Sequence, residues 1–365
     1  MISVSVSADD AGQRMDKYLA KYLDRAPRSF IYRSLRKKNI SLNGKKADGS
    51  EILREGDEIR LFFSDDTFGT LRSAGASGKA ALASLKGAGS IPATGLMNEA
   101  ARLSAYCGIV YEDDQVIIAD KHAGILSQKA AADDVSINEI LLGYTRAQQA
   151  AKGERFSDAF TPSVCNRLDR NTSGLVCFAK TYGAAREWNR LFRDRDMKKY
   201  YLAVVRGSIS DPGHAAGWLL KDQKTNRVVV MDEAAEGASR IETAWEPVLS
   251  GSLPQVFPDV SDGGDLRVPD GYTLLRVELI TGRSHQIRAH FRHLGHPLAG
   301  DPKYADPVET VQLRKQFGIR RQLLHAYELI LPDELHPPLE HLQGRRFTAP
   351  LPADWLSFLK AGQHF

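Results

Sequence analysis

The sequence predicts an α+β protein: a strand-rich main domain with a few helices packed on a face, preceded by a small α/β unit. Three observations lead there. Beyond residue 105, strand-like runs outnumber helical stripes, the pattern of an α+β domain with a few helices packed on a face. Before residue 65, two amphipathic helical stripes and short strands form a self-contained pattern. Between the two, residues 65–105 change in composition, and residues 69–95 are rich in Gly, Ala and Ser and nearly free of aromatics. The expected division is therefore 1–64, a linker over 65–105, and a main domain over 106–365.

The bulk properties set outer bounds. The chain has 365 residues, 42% hydrophobic and 26% charged, an ordinary globular balance. No apolar run approaches the roughly 20 residues a membrane span needs, and the first residues carry no signal-peptide pattern. The three cysteines, Cys107, Cys165 and Cys177, lack metal-like spacing and are expected to be small buried residues in a reducing compartment, so a cytoplasmic location is expected. Walker and dinucleotide fingerprints are absent. His285, His290, His293 and His296 come without an acidic ligand, so no metal site is expected.

Taken in order, Met15, Tyr18, Leu19, Tyr22 and Leu23 form the i, i+3, i+4, i+7, i+8 stripe of one buried helix face. Pro27 opens a second helix, with Phe30, Ile31, Ser34 and Leu35 inward and Arg28, Arg33, Arg36, Lys37 and Lys38 largely outward. Between residues 14 and 46 only Asp16 and Asp24 oppose eleven cations. The net charge of +4 is mild, but this dense single-sign patch attracts a polyanion. Short strands follow at 40–43 and 58–62. The Gly/Ala/Ser stretch reads as a flexible tether, with a transient helix near 80–85.

In the main domain, residues 108–120 read as strand, turn, strand. Ala184, Ala185, Trp188, Leu191 and Phe192 make a helical stripe. Residues 200–205, 218–220, 228–231, 241–245 and 275–279 are strand-like, and 284–294 switches to helical spacing.

One segment concentrates chemistry. Arg167-Leu168-Asp169-Arg170-Asn171-Thr172-Ser173-Gly174 lies between two β-like runs, 163–165 and 175–180. Nearby cations favour the ionised form of a carboxylate. An ionised, fixed Asp suits a nucleophile or general base, although a salt-bridged surface turn would carry the same residues.

Extended to Asn166 and Val176, this segment resembles the signature of the RluA-type pseudouridine synthases. Lys199-Tyr200-Tyr201-Leu202-Ala203 is similar to that family's Lys-x-Tyr-Leu-Ala strand. Ile280-Thr281-Gly282-Arg283-Ser284-His285-Gln286-Ile287-Arg288-Ala289-His290 is similar to its second block. The blocks occur in the family's order, and the resemblance covers roughly 106–360. Asn166 departs from the family's usual His, and His122 from the Pro of its Lys-Pro-Ala-Gly loop. The first 64 residues resemble the alpha-L RNA-binding module, whose basic second helix grips structured RNA. In this chain that grip falls to Arg28, Arg33, Arg36, Lys37 and Lys38.

The resemblance implies a mixed, mainly antiparallel curved sheet with flanking helices, split by a central cleft, and an enzyme that isomerises uridine in structured RNA without cofactor or metal. It implies Asp169 as the reacting acid, Arg283 as the guanidinium paired with it, and Tyr201 as the ring that stacks on the base. A planar guanidinium suits a buried carboxylate because it binds in two parallel bonds and stays charged. Tyr200 should point to the opposite face of the strand and pack. The uridine must be unstacked to be reached. Arg167 is expected either to assist that flip or to contact a phosphate, with Arg170, His285 and Arg288 as further substrate contacts. Large-subunit ribosomal RNA is the expected substrate, with transfer RNA or a non-catalytic RNA-binding role as alternatives.

Overall fold

Two separate sheets organise the chain. The computed structural model describes residues 1–72, 93–131, 133–154, 157, 159–222, 227–248 and 267–361. The first unit contains β1 (Ile2–Ser5), α1 (Met15–Tyr22), α2 (Arg28–Arg36), β2 (Ile40–Leu42), β3 (Lys45–Lys46), β4 (Glu58–Leu61) and α3 (Asp65–Leu71). Its four strands run antiparallel in the order β1-β4-β2-β3. α1 buries Met15, Tyr18, Leu19 and Tyr22, the face its spacing dictates. α2 buries Ile31, Ser34 and Leu35 and leaves Arg28, Arg33 and Arg36 exposed, with Lys37 and Lys38 exposed just past its end.

The expected boundary at residue 64 is corrected. Ser64 caps α3 by accepting the Thr67 N–H at 3.3 Å, Leu71 enters the core of the first unit, and the Arg72 guanidinium lies 4.1 Å from the Tyr22 ring centre. A cap and tertiary contacts order a seven-residue helix that composition alone would not. At the other end of the expected linker, residues 93–105 are also helical, within α4 (Ala93–Tyr106). The helix expected near 80–85 lies outside the described residues.

The main domain follows with β5 (Cys107–Glu112), β6 (Val116–Lys121), α5 (Ile137–Ala151), β7 (Ser163–Val164), β8 (Ser173–Ala179), α6 (Tyr182–Asp194) and β9 (Lys198–Arg206). It continues with β10 (Gly213–Asp222), β11 (Arg227–Met231), β12 (Ser239–Pro247), β13 (Tyr272–Leu279), α7 (Gln286–His293), α8 (Pro307–Phe317), β14 (Leu324–Ile330), β15 (Arg346–Thr348) and α9 (Ala353–Ala361). Eleven strands form one sheet in the order β11-β10-β12-β13-β9-β14-β8-β6-β5, with β15 on β14 and β7 on β8. Among the described strands every pairing is antiparallel except that of β8 with β14. The expected mixed, mainly antiparallel α+β architecture is the one observed.

The middle of this sheet is covered on both faces, which is why its strands read as unbroken apolar runs. All seven residues of β8 are buried. Val176 and Phe178 face a core shared with Ile137, Ile140 and Leu141 of α5 and Ile287 and Phe291 of α7. Leu175, Cys177 and Ala179 face Trp188 and Leu191 of α6. Cys107 and Cys177 are buried free thiols, and burial pushes the Cys107 thiol up to about 12.

Where β8 meets β14, the backbones approach closely. Gly174, at φ +113°, pairs with Ala326, and a Cβ there would lie 2.2 Å from the Ala326 carbonyl oxygen. Only glycine permits both that dihedral and that approach.

The first unit also touches the main domain. Ser157 donates to Asp10 at 2.5 Å and Gln149 to Asp9 at 3.1 Å. Lys21 Nζ lies 4.9 Å from the Tyr182 ring centre, and Arg186 donates to the Gly12 carbonyl at 3.4 Å. The two units are therefore in contact, beyond what a tether alone would give.

Candidate active site

The segment 165–172 leaves β7, crosses the end of the sheet and enters β8. Its course is fixed by hydrogen bonds and by Leu168, which is buried in the core. Asn166 spans the bend: its amide donates to the Leu175 carbonyl at 3.2 Å and its oxygen accepts the Cys177 N–H at 2.8 Å. The Ser127 hydroxyl accepts the Leu168 N–H at 2.8 Å and donates to the Leu168 carbonyl at 2.9 Å. The Thr172 N–H closes the turn onto the Asp169 carbonyl at 3.0 Å.

Beneath the turn sits Lys121, fully buried at the end of β6. Its ammonium reaches the carbonyls of His122 at 2.9 Å, Ile125 at 3.0 Å and Arg170 at 3.3 Å. Burial, with help from Arg321, pushes its pKa down to about 7, against the opposing pull of Asp169 and Asp120. Three N–H donors facing three carbonyls match an ammonium, which ties the Asp-bearing turn to the loop after β6. The sequence reading missed Lys121 and Ser127 as positioning groups. The available signal was a lysine closing the otherwise apolar strand Val116-Ile117-Ile118-Ala119.

The turn presents Asp169, 26% exposed, to a cleft of about 940 Å³. Arg288 on α7 donates from Nη1 to Asp169 Oδ2 at 2.8 Å. Its Nε and Nη2 bind the fully buried Asp301 at 2.7 and 2.9 Å. Burial works against the Arg288 charge, but the bonds to Asp301 and Asp169 outweigh it and hold the guanidinium above its ordinary range.

This arrangement corrects the expected pairing of Asp169 with Arg283. Arg283 lines the cleft, but its guanidinium has no ion pair among the described residues, and its backbone N–H donates to Gln286 at 3.1 Å. α7 begins only at Gln286, so Arg283 lies in the preceding loop while Arg288 is carried inward by the helix. Arg288 is correspondingly engaged with two carboxylates rather than free for substrate. The flanking arginines do not pair with Asp169 either. Arg167 is exposed at the cleft, and Arg170 lies 3.5 Å from Asp134.

Tyr201 on β9 lines the same cleft and is almost buried. Burial, and then the charge of Asp169, pushes its hydroxyl up, so the phenol keeps its proton at neutral pH. Tyr200 projects from the other face, where the Arg276 guanidinium stacks 3.5 Å from its ring centre. It is a packing residue, as strand alternation requires. His285 caps α7 in a left-handed conformation, φ +55°. Its Nε2 lies 3.8 Å from Asp169 Oδ2 and its Nδ1 2.9 Å from the Tyr304 hydroxyl.

The other histidines of the block are used separately: His290 meets Thr243 at 3.0 Å, His293 meets Asp232 at 2.9 Å, and His296 meets the Arg206 carbonyl at 2.9 Å. Among the described residues no cluster of three metal-ligating side chains occurs, and no helix is long and apolar enough to cross a membrane. Arg193, Arg195, Lys199 and Lys303 also line the cleft, and sequence reasoning did not place them there. Arg28, Arg33, Arg36, Lys37 and Lys38 lie on α2 of the first unit and its C-terminal end, outside this cleft.

The chemistry available is that of a carboxylate locked by a guanidinium on one oxygen, beside a protonated phenol, in a cleft large enough for a nucleoside and rimmed by cations. A family model described as RNA pseudouridylate synthase matches residues 115–293, which contain Asp169, Tyr201 and Arg288. Ribosomal large subunit pseudouridine synthase C of Vibrio cholerae serotype O1 is 28% identical over 349 residues, covering 93% of this chain and 94% of that protein. The protein of the same name from Escherichia coli strain K12 is 29% identical over 333 residues, covering 89% of this chain and 87% of that protein. The solved structure of human RNA pseudouridylate synthase domain containing 4 shares the fold, with a TM-score of 0.53 at 21% identity over 74% of this chain and 97% of that chain. A match lying across the cleft and relatives aligned along nearly the whole chain lead to one assignment: the chain belongs to the RluA-type RNA pseudouridine synthases.

Proposed function

We propose that this enzyme isomerises uridine to pseudouridine in large-subunit ribosomal RNA, with Asp169 as the reacting acid. The observation that carries the reading is the 2.8 Å bond from Arg288 to Asp169 Oδ2 inside a cleft that Tyr201 also lines. The relatives' names supply the ribosomal substrate. The isomerisation exchanges an N1–C1′ bond for a C5–C1′ bond. N1 gains a proton and C5 loses one, so no electron acceptor is needed. Arg288 keeps the acid charged as the uracil displaces water. Tyr201 stacks on the flipped base, and its hydroxyl, held protonated, is a donor at the base edge. Arg167 and Arg283, without ion pairs among the described residues, contact phosphates or fill the gap left by the flipped base. α2 of the first unit and the residues at its C-terminal end grip the RNA at a second place, as an alpha-L-like module, through the exposed Arg28, Arg33, Arg36, Lys37 and Lys38.

The test is direct. Large-subunit RNA lacking modifications is incubated with the protein, with transfer RNA as a parallel substrate, and pseudouridine is mapped by reverse-transcription stops after carbodiimide treatment. Wild type is expected to modify the ribosomal RNA, and Asp169→Asn to form no product while binding with nearly unchanged affinity. Product from Asp169→Asn would remove the acid from the chemistry, and product only on transfer RNA would reassign the substrate.

A further inference from the structure

His285 stands at the junction of a hydrogen-bond chain that ends on the reacting carboxylate. The Tyr304 oxygen accepts the Val228 N–H of β11 at 3.1 Å. The one other polar partner of that hydroxyl among the described residues is His285 Nδ1, at 2.9 Å. The phenol proton therefore has the imidazole as its acceptor, and Nδ1 must present its lone pair. A neutral ring so constrained carries its proton on Nε2, the nitrogen that faces Asp169 Oδ2 at 3.8 Å. The backbone at His285 is left-handed, φ +55°, a conformation that a non-glycine residue keeps only when its surroundings enforce it.

We propose that His285 is a positioning residue for Asp169, held by Tyr304 as the Nε2–H tautomer so that this N–H and the Arg288 guanidinium together fix Oδ2 and leave Oδ1 for the uridine. The proposal rests on Asp169 being the reacting acid. The 3.8 Å separation closes to a hydrogen bond when the nucleotide displaces water, as catalytic contacts commonly do on substrate binding. Several groups bear on the ring's charge. Burial, Arg288 and Lys303 disfavour the imidazolium; Asp169 and Asp301 favour it, and the net direction is downward from the ordinary histidine value. The ring is thus neutral at neutral pH. Acidification turns it into a cation that can no longer accept the Tyr304 proton and that neutralises Asp169.

Two measurements decide the matter on the full-length chain. The first needs no RNA: nitrogen-15 spectra of histidine-labelled protein, with the His285 signals assigned by their disappearance in His285→Gln. The Nε2–H pattern is expected at pH 7; an Nδ1–H or doubly protonated ring overturns the proposal. The second is single-turnover pseudouridine formation across pH. His285→Ala is expected to slow the chemical step roughly 10- to 100-fold with little change in RNA affinity. His285→Gln, which keeps an N–H donor without a titrating ring, is expected to recover most of that loss and to flatten the acid limb. Tyr304→Phe removes the donor that stabilises neutral Nδ1, so it shifts the acid limb to higher pH. A loss confined to affinity, or an acid limb unmoved in both variants, overturns the proposal. Failure of wild type to form pseudouridine would instead refute the reading of the reaction, which the spectra do not depend on.

Discussion

Arg288 joins Asp169 and Asp301 through opposite edges of one guanidinium, 2.8 Å to the first and 2.7 and 2.9 Å to the second. Asp301 is wholly buried, and Asp169 is the half-open member facing the cleft. The buried acid orients the arginine, and the arginine orients Asp169. For the wholly buried Asp301 the cation offsets the cost of a charge taken out of water.

Arg288→Gln therefore carries two penalties. It should reduce pseudouridine formation more than 100-fold, and it should destabilise the fold by about 3–5 kcal/mol because Asp301 is left buried and unpaired. Arg283→Ala should do neither; its main effect should be weaker RNA binding. Urea unfolding and single-turnover kinetics on both variants check the assignment, and the reverse pattern would restore Arg283 as the partner.

Gly174→Ala should destabilise by roughly 2–4 kcal/mol, since it adds a Cβ at φ +113° against the Ala326 carbonyl. Gly124→Ala serves as the control: φ is +96°, but nothing lies within 4 Å of its Cβ position, so only the backbone term applies. Thermal unfolding of the two variants separates close approach from dihedral strain.

His325 pairs through Nδ1 with Ser173 Oγ at 2.9 Å, and burial pushes its pKa down to about 3. A histidine kept neutral by the fold contributes stability at neutral pH, where neither state is protonated. That contribution is lost as pH falls from about 6.5 toward 3, because the unfolded chain then binds the proton first. His325→Gln should be less stable than wild type by about 1 kcal/mol at pH 7, and at pH 4.5 the gap should close and reverse, because only wild type carries the linked loss. Urea unfolding at the two pH values reads the gap directly; a gap that widens would contradict the neutral assignment.

Replacing Arg33, Arg36, Lys37 and Lys38 by Gln should weaken RNA binding. It should also flatten the dependence of log affinity on log salt, by up to about 0.9 for each phosphate that is no longer neutralised. The chemical step at saturating RNA should be little changed. Filter binding from low to moderate salt tests this, and an unaltered slope would remove α2 from the RNA interface.

Much of this was legible in the chain because local patterns produced it. The stripe of α1, the charged outer face of α2 and the strand alternation that sends Tyr201 and Tyr200 to opposite faces all follow from periods of 3.6 and 2. Asp169 and the cleft followed from the motif. The choice between Arg283 and Arg288 did not, because two arginines five residues apart in one block differ only in where α7 begins. Lys121 was equally silent: its task is defined by the Arg170 carbonyl, 49 residues away. α3 was hidden by a glycine-containing composition that tertiary packing against Tyr22 overrides.

The contacts of Asp9, Asp10, Lys21 and Arg186 give the seam between the two units a further meaning. With that seam closed, the span from α2 to Asp169 is a property of folded protein, set like the jaws of a caliper.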